Sequence, residues 1–262
     1  MAADSDDTRH GRMIQEQFAR QAATFQEFAL LPGEPRDIVL RLCPISAADV
    51  VLDVACGPGV TTCDLASIAG HVTGVDAVSA MIEQGRGLQQ RLGLTNVSWQ
   101  TTSVPPLPFD DGAFSLVFTR YSLHHFLDPL SVLAEMIRTC HPGGRVVVID
   151  LFMQSEEQRA AYDTMERLRD PSHVRALLLE ELQRGLQHVG LTDCKTVFYR
   201  LPMTLSRLMS GSFPNPGDAA RVQEIMAGDL NENRMGLNLR LVDGEIHFDY
   251  PIAALVGHKP SN

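Results

Sequence analysis

The sequence predicts an α/β fold in which a mostly parallel sheet carries helices on both faces. Short apolar, β-rich runs alternate with stretches of helical periodicity, and strands that alternate with helices form parallel sheets covered on both sides. The first run leads directly into a glycine turn that opens a helical stretch, which is the order of a strand–turn–helix unit. The runs expected as parallel strands are 50–55, 72–75, 97–99, 114–118 and 145–149.

Helices are expected before and between these strands. Apolar residues recur at helical spacing over 13–28, and a second helical stretch covers 34–42. The helix between the second and third strands has weaker support, because Gly85 and Gly87 each cost about 1 kcal/mol relative to alanine.

The helix after the fourth strand has the clearest start and end signals. Asp128 is the expected N-cap and Pro129 the first helical residue. The sequence His141-Pro142-Gly143-Gly144 ends the helix. The predicted buried stripe is Leu130, Leu133, Ala134 and Ile137.

The alternation loosens after residue 150, yet no internal repeat or low-complexity linker divides the chain. We therefore expect one domain over 1–262 with a helical insertion near 202–236. The methionines of this insertion predict core packing, with an adaptable apolar lid as the alternative. The expected elements are helices over 156–169 and 178–189, a strand over 195–201, a helical stretch over 203–235, and two closing strands around Asp243-Gly244, the last over 252–257.

The composition argues against several classes of partner. The net charge of −10 disfavours binding to nucleic acids or anionic membranes. The five cysteines form no Cys-x-x-Cys pair, so neither a zinc site nor a disulfide framework is expected. No run of eighteen apolar residues predicts a membrane span, and the acidic N-terminus lacks the pattern of a secretory signal. We expect a cytoplasmic protein without a metal; the oligomeric state is open, with a homodimer as one alternative.

The sequence of the glycine turn distinguishes between a dinucleotide ligand and a ligand with a cationic amino-acid end. The dinucleotide fingerprint is Gly-x-Gly-x-x-Gly, but here Gly57-Pro58-Gly59 is followed by Thr62 where the third glycine would stand. Asp53, four residues before the turn, suits a ligand with a cationic amino-acid end rather than a pyrophosphate. Asp76, at the end of the second strand, offers two acceptor oxygens to a ribose diol. A nicotinamide-dependent oxidoreductase is therefore the less favoured alternative.

Together these motifs resemble the class I S-adenosylmethionine (SAM) dependent methyltransferases, in particular the UbiE/COQ5-like group that acts on small molecules. The resemblance covers about residues 10–150, and its motifs occur in the family's order. The matching segments are 51–59, 74–81, 107–114, Leu123-His124-His125-Phe126 and His141-Pro142-Gly143-Gly144.

The resemblance implies a Rossmann-like sheet of seven strands, mostly parallel with an antiparallel last strand. It also implies methyl transfer from SAM to a carbon, oxygen or nitrogen atom of a metabolite, under N-terminal lid helices at about 10–44. Ser103 departs from the family pattern, since an aspartate usually faces the adenine amino group there. The expected cofactor-binding residues are Phe25, Asp53, Ala55, Gly57, Gly59, Asp76, Ala77, Met81, Thr102, Ser103, Val104 and Thr119.

Candidates for catalysis follow the fourth and fifth strands, because ligands of open α/β sheets lie over the carboxyl ends of the strands. His124 or His125 is a candidate general base, or one of them packs beneath the loop. Asp150 orients the acceptor or caps the next helix. Tyr121 faces the same edge of the sheet. His173 lies in a segment, 170–175, that is either a substrate-facing loop or a solvated turn. A non-catalytic SAM-binding protein is a further alternative.

Overall fold

Nine strands form one sheet in the computed structural model, which describes residues 6–29 and 34–261. The α/β prediction is confirmed. The strands are β1 (Val50–Val54), β2 (His71–Asp76), β3 (Val97–Thr101), β4 (Phe114–Arg120), β5 (Cys140–Met153), β6 (Leu177–Leu178), β7 (Thr192–Thr204), β8 (Arg240–Val242) and β9 (Glu245–His258).

The principal path of the sheet has the order β3-β2-β1-β4-β5-β9-β7. Strands β1 to β5 are parallel to one another, and β9 is antiparallel to both β5 and β7. The predicted antiparallel last strand is therefore confirmed. The predicted count of seven is wrong for the described residues, because β6 and β8 pair beside this path. Strand β6 has only two residues, which is too short to show a period in the sequence. Strand β8 is the first of the two strands expected around Asp243-Gly244, and β9 is the second.

The helices lie around this sheet. The predicted helix over 203–235 is wrong in part, because β7 continues to Thr204 and two short helices follow it. Pro214 and Pro216 lie between them, where proline prevents a continuous helix. The helices are α1 (Asp6–Ala29), α2 (Glu34–Leu42), α3 (Val60–Ala66), α4 (Ser79–Leu92), α5 (Pro129–Thr139), α6 (Glu156–Arg169), α7 (Leu179–His188), α8 (Leu205–Ser210) and α9 (Asp218–Gly228), with a 3₁₀ turn at Leu123–His125.

Alternate residues of β1 enter different halves of the core. Val51 belongs to one buried cluster, and Leu52 and Val54 belong to the other. This division follows from the two-residue period of a strand, which sends successive side chains to opposite faces. Met226 and Met235 are buried in the cluster that contains Val51, so core packing accounts for these two methionines better than a lid does.

Helix α5 begins as predicted but is rotated relative to the predicted stripe. The Asp128 carboxylate accepts hydrogen bonds from the backbone N–H groups of Leu130 (3.1 Å) and Ser131 (3.3 Å), which confirms the N-cap. Leu130 and Ala134 are exposed, contrary to the prediction, and Ile137 is half-buried. The buried side is formed by Val132, Leu133, Met136 and Thr139.

The packing of the single tryptophan of the chain explains why α4 contains a glycine, although glycine weakens a helix. A Cβ atom built on Gly85 would lie 2.7 Å from the Trp99 ring, and one built on Gly74 would lie 2.9 Å from it. The Trp99 ring N–H donates to Gln89 Oε1 of the same helix (2.7 Å). Glycine at 85 thus lets the indole pack directly against the helix backbone, and this contact offsets the low helix propensity.

Two glycines of the turn after β1 provide a matched test of this packing. Both have positive φ, so alanine at either position costs about 1–2 kcal/mol. A Cβ on Gly59 would also lie 2.2 Å from the Trp99 ring, whereas one on Gly57 would meet nothing within 4 Å. We expect Gly59→Ala to lower the free energy of unfolding by about 1–3 kcal/mol more than Gly57→Ala does, measured by urea denaturation. Equal losses would show that Trp99 does not limit this position.

Candidate active site

A cavity of about 560 Å³ lies at the carboxyl ends of the parallel strands. Its walls come from the segments that follow β1, β2, β3 and β4, and α1 covers it with His10, Ile14 and Phe18 among other residues. The volume is in the range of small-ligand pockets, and the position is where open α/β sheets bind ligands.

Most of the predicted site residues border this cavity. Gly59 and Thr119 do not, and neither do His124, Asp150 and His173. The side chain of Phe25 lies outside the described residues. The predicted residues that line the cavity are Asp53, Ala55, Gly57, Asp76, Ala77, Met81, Thr102, Ser103, Val104, Tyr121 and His125.

Asp76 holds the turn after β1 as well as facing the cavity. Its Oδ2 accepts a hydrogen bond from the backbone N–H of Gly57 (2.9 Å), and its Oδ1 accepts one from Val78 (2.8 Å). Burial raises the pKa of Asp76, and the backbone N–H groups partly oppose that shift. Each carboxylate oxygen can accept a second hydrogen bond, so both remain available to a ligand with hydroxyl groups.

Asp53 is a buried acid at the cavity wall. Its Oδ2 accepts a hydrogen bond from the Thr62 hydroxyl (2.7 Å), and its Oδ1 has no hydrogen-bond partner within the described residues. Burial raises the pKa of Asp53 to about 7, although the bond from Thr62 and the charge of Arg120 act in the opposite direction. A cation bound nearby would favour the ionised form of this carboxyl group.

The two glycines of the turn have different reasons to be glycine. Gly57 has φ +53, and a Cβ there would point into open space beside the cavity, so its absence lets a ligand approach the backbone. Gly59 was also expected to contact the ligand, but it packs on Trp99 instead. Of the two glycines, Gly57 lines the cavity and Gly59 does not.

Thr119 stabilises the sheet and does not reach the cavity. Its hydroxyl donates to the backbone oxygen of Val54 (2.8 Å) and also pairs with Ser122 Oγ (2.6 Å). The parallel register places Thr119 opposite Val54, which directs this bond across the two strands. The side chain of Thr119 is buried and lies outside the cavity, so nothing in the geometry supports the expected contact with the cofactor.

Asp150 lies outside the cavity and holds the 3₁₀ turn after β4. Its carboxylate accepts hydrogen bonds from the backbone N–H groups of Leu123 and Leu151 (both 2.8 Å) and contacts His124 Nδ1 (2.7 Å). The N-cap of α6 is Ser155, so the alternative role of Asp150 as that cap is wrong. Burial disfavours the charged form of His124, but the charge and hydrogen bond of Asp150 raise its pKa above the ordinary value. His124 is thus a buried partner of Asp150.

His125 faces the cavity with one nitrogen free. Its Nδ1 lies 3.3 Å from the backbone oxygen of Ser172, and a carbonyl oxygen can only accept, so this nitrogen carries the proton. The lone pair is then on Nε2, which has no protein partner within the described residues. Burial lowers the pKa of His125 well below its ordinary value, and the charge of the adjacent His124 lowers it further. His125 is therefore neutral near neutral pH.

The segment 170–175 is neither a solvated turn nor a wall of the cavity. Asp170, Ser172 and His173 are all buried. His173 Nε2 contacts Asp163 Oδ1 of α6 (2.8 Å), so His173 does not reach the ligand space. Asp170 accepts a hydrogen bond from the backbone N–H of Ser172 (2.9 Å), which fixes the carbonyl that His125 contacts. This turn thus holds the carbonyl group that His125 contacts at the cavity.

Tyr121 and His10 complete the cavity wall near His125. Tyr121 has φ 54, and its hydroxyl pairs with that of Tyr199 (2.9 Å). His10 Nε2 donates to the backbone oxygen of His125 (2.7 Å), and the Phe18 ring contacts the His125 ring edge-on at 4.9 Å. The sequence prediction did not include His10, although its spacing of four and eight residues from Ile14 and Phe18 indicates one helix face.

Two further findings concern only the described residues. No group of three or more histidine, cysteine, aspartate or glutamate side chains there could hold a metal ion. None of the helices described is long and apolar enough to cross a membrane.

Comparison with known proteins identifies the class of this fold. Residues 52–148 match the family model described as Methyltransferase domain. The uncharacterized methyltransferase YcgJ of Bacillus subtilis (strain 168) is 30% identical over 168 residues, which cover 63% of this chain and 66% of that protein. The crystal structure of YcgJ matches with a TM-score of 0.79 and 25% identity, covering 87% of this chain and 98% of that chain.

Two more relatives agree with this class. The crystal structure of a putative methyltransferase (BH2331) from Bacillus halodurans C-125 has the same fold, with a TM-score of 0.80, 20% identity, and coverage of 87% of this chain and 100% of that chain. The demethylmenaquinone methyltransferase of Clavibacter sepedonicus is 33% identical over 104 residues, or 40% of this chain and 42% of that protein. The chain thus spans 66% of the length of YcgJ and 42% of the length of the demethylmenaquinone methyltransferase.

The predicted resemblance is therefore confirmed. The chain contains a methyltransferase domain, and its sheet is that of the Rossmann-like, SAM-dependent methyltransferases.

Proposed function

We propose that this protein transfers a methyl group from SAM to a small molecule and releases S-adenosylhomocysteine (SAH). The observation that carries the proposal is that one cavity joins the Asp53, Gly57 and Asp76 group to the neutral imidazole of His125. The match to a methyltransferase domain over 52–148 and the relatives named methyltransferases support it. The acidity of the chain favours a small-molecule acceptor over a nucleic acid.

The cavity residues suit the chemical groups of SAM. Asp76 has acceptor capacity left for the ribose diol, and the free oxygen of Asp53 suits the ammonium group. Ala77, Met81 and Val104 offer apolar surface to the adenine ring at the ends of β2 and β3. When bound, SAM would supply a methyl group on a positively charged sulfur.

The adenine contact differs from the family pattern at Ser103. This residue lines the rim of the cavity together with Thr102 and Val104, and its side chain is exposed. A serine hydroxyl accepts a weaker hydrogen bond than a carboxylate does. We infer that adenine recognition depends more on backbone groups and apolar contacts here than on a side-chain acceptor.

His125 is the proposed general base for an acceptor that loses a proton from oxygen or nitrogen. The residue lines the cavity, its Nε2 has no protein partner within the described residues, and its lowered pKa keeps the ring neutral at neutral pH. Positioning supplies most of the acceleration of a methyl transfer, and a base adds to it where the acceptor is protonated. A carbon acceptor that is already nucleophilic would not need this group.

Helix α1 is proposed to cover the bound molecules. His10 binds the backbone of His125, and Phe18 contacts the His125 ring, so α1 closes the cavity next to the base. Removing water there strengthens the electrostatic contacts that orient the reacting groups. This role corresponds to the lid expected at about 10–44.

Some properties of the whole protein are predicted from the sequence alone. They are a cytoplasmic location, a homodimer as one alternative for the oligomeric state, and one domain over 1–262 with an insertion near 202–236. Biosynthesis as the cellular role also stays a prediction.

The first test concerns Asp76. Asp76→Ala removes a charged acceptor from the ligand and from Gly57, and we expect the SAH dissociation constant to rise about 10- to 100-fold. Isothermal titration calorimetry measures this change. Asp110→Asn is the matched control, because Asp110 is an exposed acid outside the cavity, and its affinity should equal that of the wild type. Unchanged SAH binding by a folded Asp76→Ala variant would rule out the assigned contact.

The second test concerns His125 and uses any hydroxyl- or amine-bearing acceptor that is methylated in a panel. His125→Gln should lower kcat about 100- to 10,000-fold while the SAH dissociation constant stays the same. The exposed His188→Gln variant is the control and should keep wild-type kcat.

The pH profile gives an independent check of the same residue. Because the pKa of His125 is lowered, kcat at saturating SAM should stay level as pH falls from 8 through 6.5, about the ordinary histidine pKa, and should decline only below it. A decline centred above 6.5 that disappears in His125→Gln would contradict the assigned protonation state.

A further inference from the structure

Arg120 is a cation at the cavity wall without a protein anion as partner. It is the last residue of β4, and its guanidinium carbon lies 5.1 Å from the centre of the Tyr121 ring. Within the described residues the guanidinium group forms neither an ion pair nor a hydrogen bond. Arg138 and Arg145, by contrast, are each bound to a carboxylate. The guanidinium group of Arg120 thus packs on an aromatic ring, and its N–H donors are available to a ligand.

Asp53 supplies the opposite charge on the neighbouring strand. The register of β1 and β4 pairs Asp53 with Phe118 and Val54 with Thr119, so Asp53 and Arg120 occupy the same end of adjacent strands. Both line the cavity, and they influence each other electrostatically. They do not form an ion pair, which means that no carboxylate oxygen of Asp53 lies within 4.0 Å of the guanidinium nitrogens. A carboxyl group and a guanidinium group therefore lie at one side of the cavity without contacting each other.

This arrangement is complementary to an α-amino acid. Such a group carries an ammonium and a carboxylate on one carbon atom, so it needs an acceptor and a cationic donor that are close but not bonded to each other. The planar guanidinium group of arginine matches a carboxylate with two parallel hydrogen bonds. An acceptor molecule with a single negative charge would meet attraction from Arg120 but repulsion from Asp53. A zwitterion meets attraction from both.

We propose that Arg120 binds the α-carboxylate at the amino-acid end of SAM and SAH while Asp53 faces the ammonium group. The inference rests on the proposed function, because SAM is the ligand of that function that carries an amino-acid end. It assigns to Arg120 a contact that raises affinity and sets the direction in which the ligand lies along the cavity.

The experiment compares ligands that differ only at this end. Calorimetry measures the binding of SAH, of its decarboxylated analogue, which keeps the ammonium, and of 5′-methylthioadenosine, which lacks both groups. We expect Arg120→Gln to weaken SAH binding about 10- to 100-fold and to change binding of the other two ligands less than about twofold. Arg120→Lys should recover part of the SAH affinity, because it keeps the charge but loses the paired donors.

Arg184→Gln is the matched control. Arg184 is an exposed arginine on α7 outside the cavity, and its replacement should leave all three affinities unchanged. Urea denaturation of Arg120→Gln shows whether the variant is folded.

Three outcomes would overturn the proposal. Equal weakening of all three ligands would show general damage to the cavity. Unchanged SAH affinity would exclude the carboxylate contact, and if the KM of a methylated acceptor rose instead, Arg120 would belong to the acceptor. Failure of the wild-type protein to bind SAH at all would reject the proposed function itself, which distinguishes that result from the other two.

Discussion

The carboxylate of Asp76 is the contact on which the geometry of the cavity depends. It accepts the backbone N–H of Gly57 with one oxygen and that of Val78 with the other, so it joins the turn after β1 to the start of α4. The positive φ of Gly57 and the open space beside it depend on this turn. A single half-buried acid at the end of β2 therefore shapes the backbone that faces the cavity, and it keeps acceptor capacity for a ligand.

The two adjacent histidines show how local packing gives similar residues different chemistry. His124 is paired with Asp150, which raises the pKa of His124. His125 instead contacts a carbonyl oxygen. Burial lowers the pKa of His125, and the positive charge of His124 beside it lowers that pKa further. The charged partner of one histidine thus helps to keep the other neutral. Such a division separates the residue that stabilises the loop from the one that can accept a proton.

Sequence reasoning predicted the parts of the site that depend on neighbours along the chain. The strand–turn–helix around Gly57, the acid at Asp76 and the N-cap at Asp128 are local patterns, and the structure places each where its pattern indicated. Gly59, Thr119 and Asp150 lie outside the cavity. Their contacts are with Trp99, Val54 and Leu123, which other segments bring close to them, so local patterns did not indicate these positions. The burial of segment 170–175 likewise depends on α6 and on the 3₁₀ turn, which no local pattern in that segment reveals.

Methyl transfer by the wild-type protein is the most direct test of the proposed activity. SAM with an isotopically labelled methyl group is incubated with the protein and a broad panel of small molecules, and mass spectrometry follows the label and SAH together. We expect one labelled product molecule for each SAH formed, and no SAH formed when the acceptor is omitted. Saturable SAM binding without label transfer to any acceptor would contradict it and would favour a non-catalytic SAM-binding protein.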